Sequence, residues 1–162
     1  MPFPLPFSPF EYYYWADDRP QYPMTFPVEL LFSGRLERAA LAAALEQVLP
    51  RHPLLCATVD DAEVRPRWIA SAPAPSWFDW ASAEVPLAHP HGEPLDLRRE
   101  TGLRVWVRAG PNSARMLLQF HHACCDGLAA LQFIEELLTL YHSAATGQPH
   151  GSLPPLDPAQ LQ

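Results

Sequence analysis

Lysine is absent from this 162-residue chain: all 11 basic residues are arginine. A Schiff base and a phosphate-gripping loop lysine are both excluded. Positive charge is scarce too. The 18 acidic residues against 11 arginines leave a formal net charge of −7, without the basic stripe of a nucleic-acid binder. No apolar run approaches the roughly 18 residues that cross a bilayer; the longest, Ala39 to Leu45, is mostly alanine and reads as helix. The opening MPFPLPFSPF carries no basic residue, so it is not expected to be a signal peptide. Cysteine is limited to Cys56 and the adjacent pair Cys124 and Cys125. Neighbouring thiols rarely bridge each other, so no disulfide framework is expected and a reducing cytosol is the default.

What is present fits one folded domain. Hydrophobic residues make up 48% and aromatics 11%, too many for a disordered chain. Twenty prolines punctuate the elements. Residues 1–7 are expected as an extended arm, since alternate prolines withhold backbone donors. Ser8-Pro9-Phe10-Glu11 carries a capping signal for a short aromatic helix over Tyr12 to Ala16. Val28 to Phe32 reads as a strand. Arg35 to Leu49 reads as an amphipathic helix with Leu41, Leu45, Val48 and Leu49 inward, stopped by Pro50. Leu54–Val59 and Val64–Ile69 suggest a hairpin, and residues 70–96 a long packed loop. Leu103 to Arg108 and Met116 to Phe120 read as strands around a Gly110–Ser113 turn. A second helix is expected from Asp126-Gly127 to about Ala145, with Leu131, Ile134, Leu138 and Tyr141 on its core stripe. The boundaries are one lobe over 1–146 and a tail or linker over 147–162.

The dense chemical cluster is His121-His122-Ala123-Cys124-Cys125-Asp126-Gly127, where a strand gives way to a helix. Successive residues leaving a strand point to opposite sides, so the two histidines should differ in surroundings. Asp126 stands where a helix N-cap belongs. Four near-consecutive His and Cys residues cannot close a zinc tetrahedron, so no metal is expected. Cys125 near His122 leaves a thiol nucleophile open, beside the commoner fate of small-residue packing. Tyr12 to Trp15 and Trp77, Phe78 and Trp80 read as core and lid packing.

HHACCDG resembles the HHxxxDG motif of the superfamily that includes chloramphenicol acetyltransferase, carnitine and alcohol acyltransferases, and the condensation domains of nonribosomal peptide synthetases. SPFEYYYW, the strand-helix-RHPLL segment from Val28 to Leu55, and Pro94 to Val105 are similar, in order, to that family's N-terminal lobe, over roughly residues 8–145. The resemblance implies an α+β two-layer sandwich, mostly antiparallel sheet with helices on one face. It also implies acyl transfer from a thioester to an amine or hydroxyl, with His122 as general base or nucleophile-positioning residue. His121 carries over as a supporting structural neighbour. Asp126 carries over as a structural residue paired with an arginine, either Arg19 or one in a second lobe. Gly127 carries over as the position of close approach to substrate. No cofactor is expected to be bound; the implied donors are thioesters of coenzyme A or of a phosphopantetheinyl carrier protein, an acyl or peptidyl carrier being the partner. Glu11 stands where glutamine is usual, Pro53 where glutamate is often found, and the motif's centre is cysteine-rich; these departures bear on substrate. Full members have two lobes around a tunnel, so a single lobe leaves His122 on an open face and predicts little activity for the isolated chain. Two alternatives stand beside this. One is a degenerate module of the same fold that docks a carrier or partner without catalysis. The other is a trimeric one-lobe acetyltransferase, whose HHAVCDG the motif also resembles.

Overall fold

The computed structural model describes residues 3–71, 77–89, 94–149, 151 and 153–155. In chain order the elements are β1 (Leu5–Pro6), α1 (Pro9–Ala16), β2 (Thr25–Ser33), α2 (Arg38–Val48), β3 (Ala57–Asp60), β4 (Arg67–Ala70), β5 (Trp77–Ser82), β6 (Leu103–Ala109), β7 (Ser113–His121) and α3 (Gly127–Thr146). The architecture is α+β, as expected.

The main sheet runs β2-β7-β6-β5. Strict alternation builds its helix-facing side: Phe26, Val28, Leu30 and Phe32 of β2, Leu103, Val105 and Val107 of β6, and Ala114, Met116, Leu118 and Phe120 of β7 all join one cluster with α2 and α3. β2 lies at the sheet edge, pairing with β7 along one side. An edge strand tolerates Pro27, which has no N–H to donate.

The other face of β6 is unusual because Arg104, Trp106 and Arg108 are all buried there. The segment after β5 covers them with backbone acceptors. Trp106 Nε1 donates to the Ala88 carbonyl at 2.9 Å, and Arg108 donates to the carbonyls of Val85 and Pro86 and to Asp79 at 2.6 Å. Arg104 pairs with Glu100 and reaches the Pro94 carbonyl. Buried guanidinium groups are tolerable only when so satisfied.

Several expectations shift. β5 is a strand where a loop was expected, and it pairs with β6 in parallel, making the sheet mixed. Its sequence WFDWAS shows little alternation because every position before Ser82 is half-buried. Residues 72–76 and 90–93 of that expected loop lie outside the described residues. The N-terminal arm is not merely extended: Leu5 and Pro6 pair with Trp68 and Arg67, adding a strand to the β4-β3 hairpin. This second sheet encloses its own cluster of Ala57, Val59, Trp68, Leu95, Leu97 and Ala123. The core stripe of α3 also turns by about one residue. Ala130, Phe133, Ile134, Leu137 and Leu140 are buried, whereas Leu131 is 61% exposed and Leu128 79% exposed. On α1 no residue is fully buried, and Tyr12 and Tyr13 stay exposed; Tyr14 and Trp15 alone of its aromatic run pack into the second cluster. Gly147, at φ +71°, ends α3 in the left-handed conformation that favours glycine. Beyond it, Leu153 packs on the main core and the Pro154 carbonyl accepts from Arg51 at 2.6 Å, so this part of the expected tail docks back on the lobe. Residues 156–162 lie outside the described residues.

Candidate active site

β7 delivers His121 as its last residue, and a tight turn carries the chain into α3. The His121 carbonyl accepts from the N–H groups of Cys124 and Cys125 at 2.9 and 3.2 Å. The middle of the motif pins this turn between the two cores. Ala123 belongs to the second cluster, Cys125 to the first, and Cys124 touches both. Burial pushes the Cys125 thiol up to about 12 and Cys124 well above its ordinary value. Protonated, packed thiols make poor nucleophiles, so the cysteines act here as small apolar residues. Among the described residues, no group of three or more His, Cys, Asp or Glu gathers as a metal site.

The two histidines do have different surroundings. His121 is buried, 1% exposed. Its Nδ1 accepts the Ala123 N–H at 3.1 Å, and its Nε2 lies 3.5 Å from an Asp18 carboxylate oxygen. An Nδ1 that accepts carries no proton, which places the ring proton on Nε2. His122 is partly buried, held between two rings: Tyr14 of α1 stacks at 5.1 Å and Phe26 of β2 lies at 4.5 Å. Its N–H donates to the Met24 carbonyl at 2.8 Å. The ring Nδ1 is buried with no partner among the described residues, so exchange with an incoming group falls to Nε2. Burial, aided by the neighbouring His121, lowers the His122 pKa from its ordinary 6.5, with Asp126 opposing. A neutral imidazole at pH 7 follows, the form a proton acceptor needs.

Asp126 is the N-cap of α3, its carboxylate accepting from Ala129 N–H at 2.8 Å. Such a cap contributes about 1 kcal/mol. Arg19 is not its partner: it turns to Asp17 at 3.2 Å. Gly127 opens the helix, and a Cβ built there meets nothing within 4 Å. The lobe itself therefore does not require glycine, and the space ahead of the helix is free.

Glu11 gains a second role in three dimensions, and Glu136 and Gly102 emerge only there. Glu11 closes the capping box with Ser8 and also accepts from Trp68 Nε1 at 3.1 Å, tying α1 to β4. Glu136, 3% exposed, takes Arg51 bidentately at 2.7 and 3.2 Å and lies 3.2 Å from His52 Nε2. The third is Gly102, whose carbonyl accepts the His121 N–H at 3.0 Å. A Cβ on Gly102 would stand 2.9 Å from Cys124 Cβ and closer still to its sulfur. Gly102→Ala should therefore destabilise the fold by about 2 kcal/mol through overpacking. Urea unfolding measures this, and Cys124→Ala in the same chain should restore part of the loss. An unchanged midpoint for Gly102→Ala would contradict the packing described.

No protein-family model matches the chain. It is 30% identical over 142 residues to the nonribosomal peptide synthetase TES of Alternaria alternata, covering 84% of this chain and 3% of that one. Among solved structures, the starter condensation domain of rhizomide synthetase RzmA matches with a TM-score of 0.77 at 15% identity, over 93% of this chain and 40% of that one. The X-domain from teicoplanin biosynthesis, solved in complex with OxyB, matches with a TM-score of 0.77 at 24% identity, over 95% of this chain and 36% of that one. The chain thus has the chloramphenicol acetyltransferase-like fold of a condensation-domain lobe. It spans 3% of that curated relative and 40% or less of these two solved chains.

Proposed function

We propose that this lobe supplies the histidine face of an acyl-transfer site of the condensation type, with His122 as general base or nucleophile-positioning residue. The observation that carries this is the His122 ring itself: fixed between Tyr14 and Phe26, with a lowered pKa and its Nδ1 buried. In the proposed step an amine or hydroxyl attacks the thioester carbonyl while Nε2 takes its proton. The C–S bond then breaks, and the departing thiolate takes that proton back from Nε2, which restores the neutral imidazole. The donor would be an acyl or peptidyl carrier protein or a coenzyme A thioester, and the setting cytoplasmic. Asp126 holds the loop and Gly127 leaves room for the substrate arm. A second lobe, from the same protein or another subunit, would close the open face and exclude water; orientation and enclosure of the reactants supply much of the rate in such chemistry.

A second reading has a specific observation behind it. Among the described residues no group bonds the His122 Nδ1, whereas a catalytic imidazole commonly has its second nitrogen held by a partner. Together with the X-domain likeness, this favours a docking module of the same fold. A panel of carrier-bound and coenzyme A thioesters, assayed for turnover and for binding with the longest natural form of the protein, separates the two. Turnover with one donor class supports acyl transfer. Carrier binding without turnover, unaffected by His122→Ala, supports docking. The trimeric form is tested by sedimentation, where a monomer of 18.2 kDa removes it.

A further inference from the structure

Asp18 lies outside the motif, just past the end of α1, yet its contacts converge on the histidine pair. One carboxylate oxygen accepts the Met24 N–H at 2.7 Å. The other lies 3.5 Å from His121 Nε2. Met24 in turn offers its carbonyl to the His122 N–H at 2.8 Å. The opposite nitrogen of His121 accepts the Ala123 N–H at 3.1 Å, which lies in the turn carrying His122. We propose that Asp18 is the positioning residue for His122, acting through the His121 tautomer and the Met24 backbone. This rests on the acyl-transfer reading of His122 for its effect on rate, though not for its effect on His121.

The chemistry runs in one direction. An anionic acceptor beside Nε2 favours the Nε2–H tautomer, and that tautomer leaves the Nδ1 lone pair free for Ala123. With the proton on Nδ1 instead, the Ala123 N–H would meet a donor and the turn would open. Burial works against a charge on Asp18, but His121 and Met24 outweigh it and hold the carboxyl below its ordinary range. The carboxylate is therefore ionised throughout the neutral range. A polar recess of about 220 Å³, lined by Trp15, Asp18, Asp96, Arg98 and His121 among others, opens directly onto this pair. Asp18 can thus be replaced by a small anion from solution.

The test uses Asp18→Ala and Asp18→Asn in the full chain, with formate as the probe. Nitrogen-15 NMR reads the His121 tautomer, and thioester turnover reads His122. Asp18→Ala should lose the single Nε2–H form of His121 and lower kcat ten- to a hundredfold with KM within about twofold, the scale expected for misplacing a reacting group by up to about 1 Å. Millimolar formate should restore both. Asp18→Asn, which still offers an oxygen to Met24, should keep the fold and reduce kcat less. A folded Asp18→Asn or Asp18→Ala protein with an unchanged His121 tautomer overturns the proposal, as does a tautomer change with no change in kcat. If no form of the protein turns over, the tautomer and its rescue by formate still decide the structural half. The failure then falls on the acyl-transfer reading.

Discussion

Glu136→Ala is expected to lower the stability of the lobe by about 3 kcal/mol, since breaking a buried ion pair by removing one partner costs roughly 3–5 kcal/mol. The lower end applies because Arg51 keeps 18% exposure and a second acceptor in the Pro154 carbonyl. Glu136 stands on the buried face of α3 between Phe133 and Leu137, facing the Arg51-His52 turn that ends α2. Removing it leaves a guanidinium and an imidazole over the apolar core. Burial would raise the Glu136 carboxyl, but Arg51, Gln132 and His52 hold it below its ordinary 4.5. Burial lowers His52 from 6.5 despite the nearby carboxylate, because desolvation outweighs the attraction.

The signs give an acid-side dependence in two steps. A folded-state pKa below the unfolded one means that the unfolded chain binds more protons, so stability falls as pH falls. The His52 contribution is present above about pH 6.5 and declines below it; the Glu136 contribution is present above about pH 4.5 and declines below that. Urea unfolding of wild type from pH 7.5 to 4 should show both declines, and Glu136→Ala should lose the lower one. A Glu136→Ala protein within 0.5 kcal/mol of wild type, a spread typical of neutral surface changes, would contradict this account of the helix contact.

His122→Ala is expected to cut acyl transfer on the order of 100- to 10,000-fold, the range of a positioned general base. Stability should change far less than with Glu136→Ala, because His122 is only partly buried and its backbone bond to Met24 survives the substitution. Two effects are removed together: the proton acceptor, and the ring that Tyr14 and Phe26 hold in place. His121→Ala should behave differently, losing stability first, since that side chain is 1% exposed and bonded within the turn. Melting curves beside turnover distinguish the two substitutions.

Much of the site was legible in the chain because its signals are local. The Ser8-Glu11 capping box, the Asp126 cap and the different fates of His121 and His122 each follow from a few neighbouring residues. The alternation of β6 and β7 is likewise a property of consecutive positions. What stayed hidden depends on partners far along the chain. Asp18 meets a histidine more than a hundred positions away, and Glu136 looks like an interruption of an apolar stripe until Arg51 and His52 arrive. β5 was missed because a parallel edge strand, half-buried along its length, has no alternation to read. The one-residue turn of α3 arose because Leu128 and Leu131 are exposed while Glu136 is buried, the reverse of what side-chain polarity suggests. Of the two arginine partners left open for Asp126, Arg19 pairs instead with its own neighbour Asp17.

The central claim, that His122 serves as the proton-accepting or positioning group of an acyl-transfer lobe, is tested most directly by a pH–rate profile. Single-turnover acyl transfer from the preferred thioester would be measured for wild type and His122→Ala between pH 5 and 8. The account predicts a wild-type rate level through neutral pH that falls only on the acid side of 6.5, as befits a histidine whose pKa is lowered, and a variant slower by at least 100-fold without that limb. Equal rates and the same acid limb in both proteins would contradict it.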